Sequence, residues 1–322
     1  MGTGVPIPPR PSSSLALASD VTGRIPAIVN VASGSAKEVR NVLEQSDSFE
    51  IHDVQPDEIA PTIRRVVEEG AKRVLVSGGD GTIATAASEL LNTPAELAIL
   101  PGGTLNHFAR DLGVSTDAAR ALELAMAGES RGVDVGVVNG HVFLNTSSVG
   151  AYVRFVRVRE RLEPRFGYRI ASALAALRIL FQLRTFAVEL EVEGTPRIYR
   201  TPLVFIGVGE RELQLPTFGK RVSDGQRGLH VMVVRGRSRA RVLALALAAV
   251  ARGVDTVARG PQLDSFVVDR CRVRLRRPTA VAIDGELVAM RTMLEYELRR
   301  DALHVVCPPP DAREEGAASP RA

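Results

Sequence analysis

Tryptophan is absent from the 322-residue sequence, tyrosine occurs four times, cysteine twice, and lysine only at Lys37, Lys72 and Lys220. The two cysteines, Cys271 and Cys307, stand far apart without a C-x-x-C pair, so neither a disulfide framework nor a zinc site is expected, and a reducing cytoplasm fits. The five histidines (His52, His107, His141, His230, His304) show no H-E-x-x-H spacing, which argues against a histidine-ligated metal. With so few aromatics there is little on which bases could stack, and no nucleic-acid partner is expected. No run of about 18 uncharged apolar residues occurs, so the chain is expected to be cytoplasmic, with at most peripheral contact at the inner face of a membrane. Met1 to Asp20 is rich in Pro, Ser and Gly and lacks a cationic stretch leading into an apolar one, which reads as a loose tail and not as a signal peptide. Pro6 stands where a myristoylation signal needs Ser or Thr. From Pro308 the run "PPPDAREEGAASPRA" reads as a second disordered tail.

What the sequence does contain is enough apolar residue, 45 % against 24 % charged, to fill two packed cores. The net charge of +4 is carried almost wholly by arginine on the basic side. Arg154, Arg157, Arg161 and Arg165 fall at helical spacing, while Arg270, Arg272, Arg274 and Arg276 alternate as on one face of a strand. Such stripes suit an anionic surface, and each is also compatible with a solvated face.

From Ile25 onward strands and helices alternate. Apolar "IPAIVN" is followed by the loop "VASGSA" and a helix over Lys37 to Glu44. Then come a strand over Phe49 to Val54, a helix over Asp57 to Glu69, a strand over Arg73 to Ser77, a helix after Thr82 and a strand over Ala95 to Leu100. This order predicts a parallel α/β sheet. After a helix over Thr116 to Gly128 the pattern changes: "VDVGVVNGHVFLNTSSVG" carries an Asn-Gly turn between apolar runs, a hairpin signal. Strand-like runs follow at "FAVELEVEG", "PLVFIGVG", "GLHVMVVRG", "SFVVDRCRVRLR", "AVAIDGELV" and "MLEYELRRDALHVVC", interrupted by helices over Gly167 to Leu183 and Arg239 to Ala258. The second half is therefore expected to be mostly β.

Three small-residue loops sit at strand ends in the first half: "NVASGSA" (Asn30 to Ala36), "GGDGT" (Gly78 to Thr82) and "PGGTLNHFARDLG" (Pro101 to Gly113). In an open parallel sheet, loops at the carboxyl ends of strands line the ligand crevice, so the three are expected to converge. Glycines allow the backbone to approach a phosphate, and the helix N-termini that follow offer free N–H donors. No G-x-x-x-x-G-K-[ST] is present, which excludes the Walker loop. "GDGTIA" satisfies a relaxed dinucleotide fingerprint, but the next strand ends in Pro101-Gly102-Gly103 where a ribose-binding acid is needed, so that reading fails. Asp80 inside a phosphate loop would repel a nucleotide unless Mg²⁺ lay between them, which points to phosphoryl transfer. Downstream, "VAIDGELV" places Asp284 and Glu286 around a glycine, either as the solvated acids of a hairpin turn or as a pair reaching one site.

Taken together, "NVASG", "GGDGT", "PGGTLNHFARDLG", "VDVGVVNGHVFLN", "SDGQRGLHVMVV" and "IDGE" resemble the diacylglycerol kinase catalytic family, which includes sphingosine kinases and bacterial lipid kinases. The match extends from about Ala27 to Cys307. The resemblance implies an α/β ATP-binding domain over 23–132, onto which 288–307 packs back. It also implies a β-rich, antiparallel β-sandwich lipid-substrate domain over 133–287, with tails at 1–22 and 308–322. It implies ATP phosphates and ribose held by Asn30, Ser33, Gly34, Gly78, Gly79, Asp80, Gly81, Thr82, Gly102, Gly103, Thr104 and Asn106. Asp284 and Glu286 match the acidic pair that supplies the general base. Asp224, with the carbonyl of Gln226, matches a structural Mg²⁺ position, and Asp80 is the magnesium-linked carboxylate of the nucleotide loop. Some positions depart from the family pattern: Val31 replaces a proline, His107 stands where many members have aspartate, and Tyr152 stands where some carry an acid.

The expected activity is ATP- and Mg²⁺-dependent transfer of a phosphoryl group to the hydroxyl of a diacylglycerol-like lipid. Transient contact with an anionic membrane surface and a homodimer are further expectations. The rivals are a kinase of a soluble substrate such as NAD, which shares the glycine loop, and a silent nucleotide or lipid sensor.

Overall fold

The computed structural model describes residues 23–309 apart from 183, 193, 214–217, 223–224 and 235–262. The tail expected over 1–22, all but the first two residues of that over 308–322, the helix expected over Arg239 to Ala258, and Asp224 lie outside the described residues.

The first half alternates as the sequence predicts: β1 (Ile25–Asn30), α1 (Ala36–Leu43), β2 (Phe49–Val54), α2 (Ile59–Glu68), β3 (Arg73–Gly78), α3 (Asp80–Leu90), β4 (Glu96–Pro101), α4 (His107–Asp111) and α5 (Ala118–Ala127). The four strands pair in parallel in the order β2-β1-β3-β4. All six residues of β3 are buried, as are the four apolar centre residues of β4. A parallel strand covered by helices on both faces needs such continuous apolar runs. The helices bury one stripe each; on α2 it is Ile59, Ile63 and Val66, at the i, i+4, i+7 positions of one face. Asp117 caps α5 by accepting the Arg120 N–H at 3.0 Å.

The second half comprises β5 (Ser130–Val138), β6 (His141–Phe143), β7 (Thr146–Gly150), α6 (Ala151–Phe181), β8 (Phe186–Val192), β9 (Thr195–Thr201), β10 (Leu203–Val208), β11 (Arg211–Leu213) and β12 (Phe218–Arg221). It continues with β13 (Leu229–Val234), β14 (Leu263–Val268), β15 (Arg270–Leu275), β16 (Thr279–Ile283), β17 (Glu286–Met290) and β18 (Met293–Val306). The Asn139-Gly140 turn closes the β5–β6 hairpin with both residues at positive φ, as a two-residue turn of that composition should.

Two sheets are packed face to face. The antiparallel sheet β14-β13-β10-β7-β16-β17 covers the β18-β15-β8-β9 end of the larger sheet, whose other end is the parallel β2-β1-β3-β4. The core between them draws Val204, Ile206, Leu229 and Val231 from one sheet and Leu190, Val273, Leu294 and Tyr296 from the other. A parallel-sheet α/β layer followed by an antiparallel sandwich is the fold class that the sequence predicts.

Three details differ from expectation. The run "SFVVDRCRVRLR" is two strands that part at Asp269, β14 joining the smaller sheet and β15 the larger. The helix expected from Gly167 begins at Ala151 and runs for 31 residues through Pro164, with one non-helical residue at Gly167 (φ 71°). The β15 arginines face cross-strand glutamates, with Arg270–Glu297 at 2.9 Å and Arg272 at 3.2–3.3 Å from Glu295 and Glu191. Arg270, Arg272 and Arg274 of that stripe are thus paired with carboxylates of the neighbouring strands.

β18 joins the two halves. Its first residues pair with β15, its Val305 pairs in parallel with Leu97 of β4, and a register shift between Arg299 and Leu303 carries it from one core to the other. Leu294 and Leu298 belong to the sandwich core, whereas Leu303, Val305 and Cys307 belong to the α/β core.

Candidate active site

The carboxyl ends of β1, β3 and β4 lie side by side, because β3 sits between the other two. The loops leaving them are hydrogen-bonded to one another. Asn30 Nδ2 donates to Thr82 Oγ1 at 2.8 Å, and Asn30 Oδ1 accepts the Ala32 N–H at 3.0 Å. The hydroxyls of Ser33 and Ser35 donate to the Gly102 carbonyl at 2.8 and 3.1 Å, and the Gly102 N–H donates to the Gly78 carbonyl at 2.8 Å. Asn106, left-handed at φ 49°, accepts the Gly103 N–H at 2.9 Å and returns its amide to the Gly103 carbonyl at 2.7 Å. These side chains spend their hydrogen bonds on loop shape. The surface they leave for a ligand is backbone and small residues.

That surface encloses a cavity of about 600 Å³ lined by Asn30, Ala32, Ser33, Gly34, Ser35, Pro56, Ile59, Gly79, Gly81, Thr82, Thr85, Gly102, Gly103, Thr104 and Glu286. At its floor α3 starts with Gly79 as N-cap and no side-chain cap, so the amides of its first turn face the cleft with the positive end of the helix dipole. At two of the glycines a Cβ would meet a close neighbour. A Cβ on Gly103 would stand 2.6 Å from the Gly79 Cα, and one on Gly81 would stand 2.5 Å from Glu286 Oε1.

Glu286 and Asp284 come from the β16–β17 hairpin, whose two-residue turn holds Asp284 at φ 46° and Gly285 at φ 93°. The turn sends the two acids different ways. Glu286 reaches over Gly81 and lines the cavity. Asp284 points inward: its Oδ1 accepts the N–H groups of Asn145 and Thr146 at 2.9 and 2.8 Å, and its Oδ2 accepts that of Leu144 at 2.7 Å. Burial raises its pKa, and the three N–H donors and the Arg211 charge oppose that rise without cancelling it. Tyr152, stacked on Phe155 with ring centroids 5.6 Å apart, feels the charge of Asp284 in turn.

Of the nucleotide-binding residues expected from the sequence, all but Gly78, Asp80 and Asn106 line the cavity. Asp80 Oδ1 accepts the Phe108 N–H at the start of α4 at 3.4 Å. Gln226 is not among the residues that line the cavity; its carbonyl accepts the Glu210 N–H at 3.1 Å. Among the described residues no three His, Cys, Asp or Glu side chains gather as a metal cluster. Sequence reasoning missed Ala32, Ser35, Thr85, Pro56 and Ile59. Thr85 was findable, since it follows Gly81 by one helical turn, and its hydroxyl donates to the Gly81 carbonyl at 3.0 Å.

A sequence model described as the diacylglycerol kinase catalytic domain matches residues 24–138. Over that segment the chain is similar to the diacylglycerol kinase catalytic family. A protein named diacylglycerol kinase from Bacillus subtilis (strain 168) is 27 % identical over 256 residues, covering 75 % of this chain and 79 % of that one. A protein named as a YegS-like lipid kinase from Pseudomonas fluorescens (strain Pf0-1) is 28 % identical over 262 residues, covering 76 % and 80 %. A crystal structure from Bacillus anthracis str. Sterne superposes with a TM-score of 0.70 at 21 % identity, over 89 % of this chain and 97 % of that one. Another from the same strain, named as a diacylglycerol kinase, gives 0.63 at 20 % over the same shares. The matched catalytic-family segment holds all three loops but ends with β5, so the Asp284–Glu286 hairpin completes the site from outside it.

Proposed function

We propose that the protein is a kinase that transfers the γ-phosphoryl group of ATP to a hydroxyl of a diacylglycerol-like lipid. The observation that carries this reading is Glu286 standing over Gly81, which sets a carboxylate from the β-sandwich against the glycine loop at the N-terminus of α3. Backbone amides, glycines without a Cβ and an uncapped helix end fit the phosphates of a nucleotide, and Pro56 and Ile59 offer an apolar wall to a base. A lone carboxylate there would repel a triphosphate, so Glu286, which lines the cavity, would hold a Mg²⁺ that accompanies the nucleotide, with Asp80 the nearest further carboxylate of the glycine loop. When bound, Mg²⁺ supplies charge neutralisation on the transferring group.

On the other side of the hairpin, Asp284 has the properties of a general base. Its Oδ2 accepts one N–H and keeps a lone pair for a proton, while the backbone clamp fixes its direction. Burial raises its proton affinity toward working pH. Tyr152 and Phe155 would place an apolar wall beside it, suited to the glycerol end of a lipid whose hydroxyl attacks in line. The names of the relatives, diacylglycerol kinase and lipid kinase, support this choice of acceptor.

The test is incubation of the purified protein with labelled ATP, Mg²⁺ and a total lipid extract. Label in an organic-phase product is expected. Label on NAD, or ATP binding with no transfer to any lipid, would overturn the reading.

A further inference from the structure

Arg299 of β18 pairs with Val135 of β5 and Leu303 with Val133, so Arg300, Asp301 and Ala302 all stand opposite the single residue Asp134. A bulge of this kind bends its strand and releases groups from the ladder to reach elsewhere. Each of the three reaches a different unit of the protein. Arg300 Nη2 donates to Asp269 Oδ1 at 2.7 Å, where β14 and β15 part. The Asp301 carboxylate accepts from Arg227 Nη2 at 2.7 Å. The Ala302 carbonyl accepts the Asn92 N–H at 3.0 Å, just past the end of α3.

Arg227 closes this junction from the smaller sheet, two residues ahead of β13. Its Nε donates to Asp134 Oδ2 at 2.8 Å, and its Nη2 donates both to Asp134 Oδ1 and to Asp301 Oδ1. Asp134 Oδ1 also accepts the Asp301 N–H at 3.0 Å. A planar guanidinium held by two carboxylates fixes direction as well as distance, which the point charge of a lysine does not. The units that meet here are the ones that face each other across the cavity. β13 lies in the sheet whose β16–β17 hairpin carries Asp284 and Glu286. α3, an 11-residue helix about 16 Å long, has its far end at the bulge and its near end at Gly81, against which Glu286 Oε1 is placed.

We propose that Arg227 is a positioning residue for the nucleotide cleft: by clasping Asp134 and the β18 bulge it holds the smaller sheet at the angle to α3 that sets Glu286 over Gly81. Arg227 is not among the residues that line the cavity, so its influence on a nucleotide runs through that placement. The inference rests on the nucleotide half of the reading above.

The test reads position first, in the full chain with EDTA and no nucleotide. Spin labels on Ser88→Cys of α3 and Ala289→Cys of β17, both exposed positions, report the distance between the two units, while Cys271 and Cys307 are buried. With Arg227 present one narrow distance distribution is expected, and with Arg227→Gln a broader or displaced one. Arg227→Lys keeps the charge beside Asp134 without the fork, so it should melt closer to the wild type and give an intermediate distribution. The second arm is titration of the unlabelled proteins with ATP and Mg²⁺ in the absence of any acceptor. If loss of the clasp leaves the competent arrangement populated about one tenth of the time, the apparent Kd for ATP rises about tenfold. In a transfer assay kcat at saturating ATP should then stay close to that of the wild type. Lowered melting with unchanged distances in both variants would overturn the proposal, since the clasp would then stabilise without positioning, and so would an ATP affinity indifferent to Arg227. A distance distribution that responds to Arg227 in a protein that binds no ATP would sustain the clasp and overturn only the nucleotide reading.

Discussion

Arg211 of β11 reaches Asp111 at the end of α4, with Nη1 3.1 Å from Oδ2 and side chains only 3 and 14 % exposed. The pair ties the two-stranded β11–β12 ribbon to the helix within the Pro101–Gly113 stretch. Burial lowers the pKa of Arg211, and Asp111 is the leading group that opposes it. Removing one partner leaves the other charge buried, so Arg211→Met should cost about 3–5 kcal/mol. Replacing both, with Asp111→Leu added, should recover much of that loss. Urea unfolding of the four species in a double-mutant cycle reads the coupling.

Gly81 and Gly103 predict opposite outcomes for the same substitution. The Cβ of Gly81→Ala would meet the mobile end of Glu286, which can swing aside, and alanine improves a helix by up to about 1 kcal/mol. Stability should hold or rise while ATP affinity falls about tenfold, a loss of about 1.4 kcal/mol. The Cβ of Gly103→Ala would meet the backbone of Gly79, which cannot swing aside, so the fold itself should lose about 1–3 kcal/mol. Nucleotide titration and thermal melting of the two variants separate the effects.

The two acids of the hairpin should fail differently. Asp284→Asn turns an acceptor into an NH₂ group facing backbone N–H donors and removes the proposed base, so kcat should fall about 10²–10⁴-fold. Glu286→Gln, at the nucleotide side, should raise the Mg²⁺ and ATP concentrations required more than it lowers kcat. The wild-type rate should decline toward acid with a midpoint above the ordinary carboxylate range, because burial raises the pKa of Asp284. Since the Arg211 charge opposes that rise, Arg211→Met should move the midpoint further up.

What could be read from the sequence follows the range of the forces involved. β2 begins and ends where the sequence places it, and the three loops meet where strand order and glycine content require, because burial on both faces and left-handed or close-approach backbone leave local marks. The first turns of α6 were hidden by Pro164 and Gly167, which read as punctuation yet sit inside one helix with a single break. α4 was hidden by its five-residue length and by its start at a left-handed asparagine. The division of labour between Asp284 and Glu286 could not be read at all. It depends on N–H groups 138 to 140 residues away, and on a turn whose left-handed residues send neighbouring side chains apart.

The last prediction concerns acid stability. Asp134 of β5, nearly inaccessible, takes two hydrogen bonds from Arg227 and one from the Asp301 N–H at 3.0 Å, where β18 shifts register. Burial alone would raise its pKa, but Arg227 and the Asp301 N–H outweigh burial and hold it below the usual value. A carboxyl whose folded pKa is depressed contributes stability above its unfolded pKa and loses it as pH falls through the folded one. Asp134→Asn should therefore be about 1–3 kcal/mol less stable than the wild type at pH 7. The gap should narrow as pH drops from the ordinary aspartate range into the depressed one, because only the wild type loses this contribution there. Urea midpoints of both proteins at neutral pH and through the acid range give the comparison, and a gap that stays constant would remove Asp134 as the titrating group.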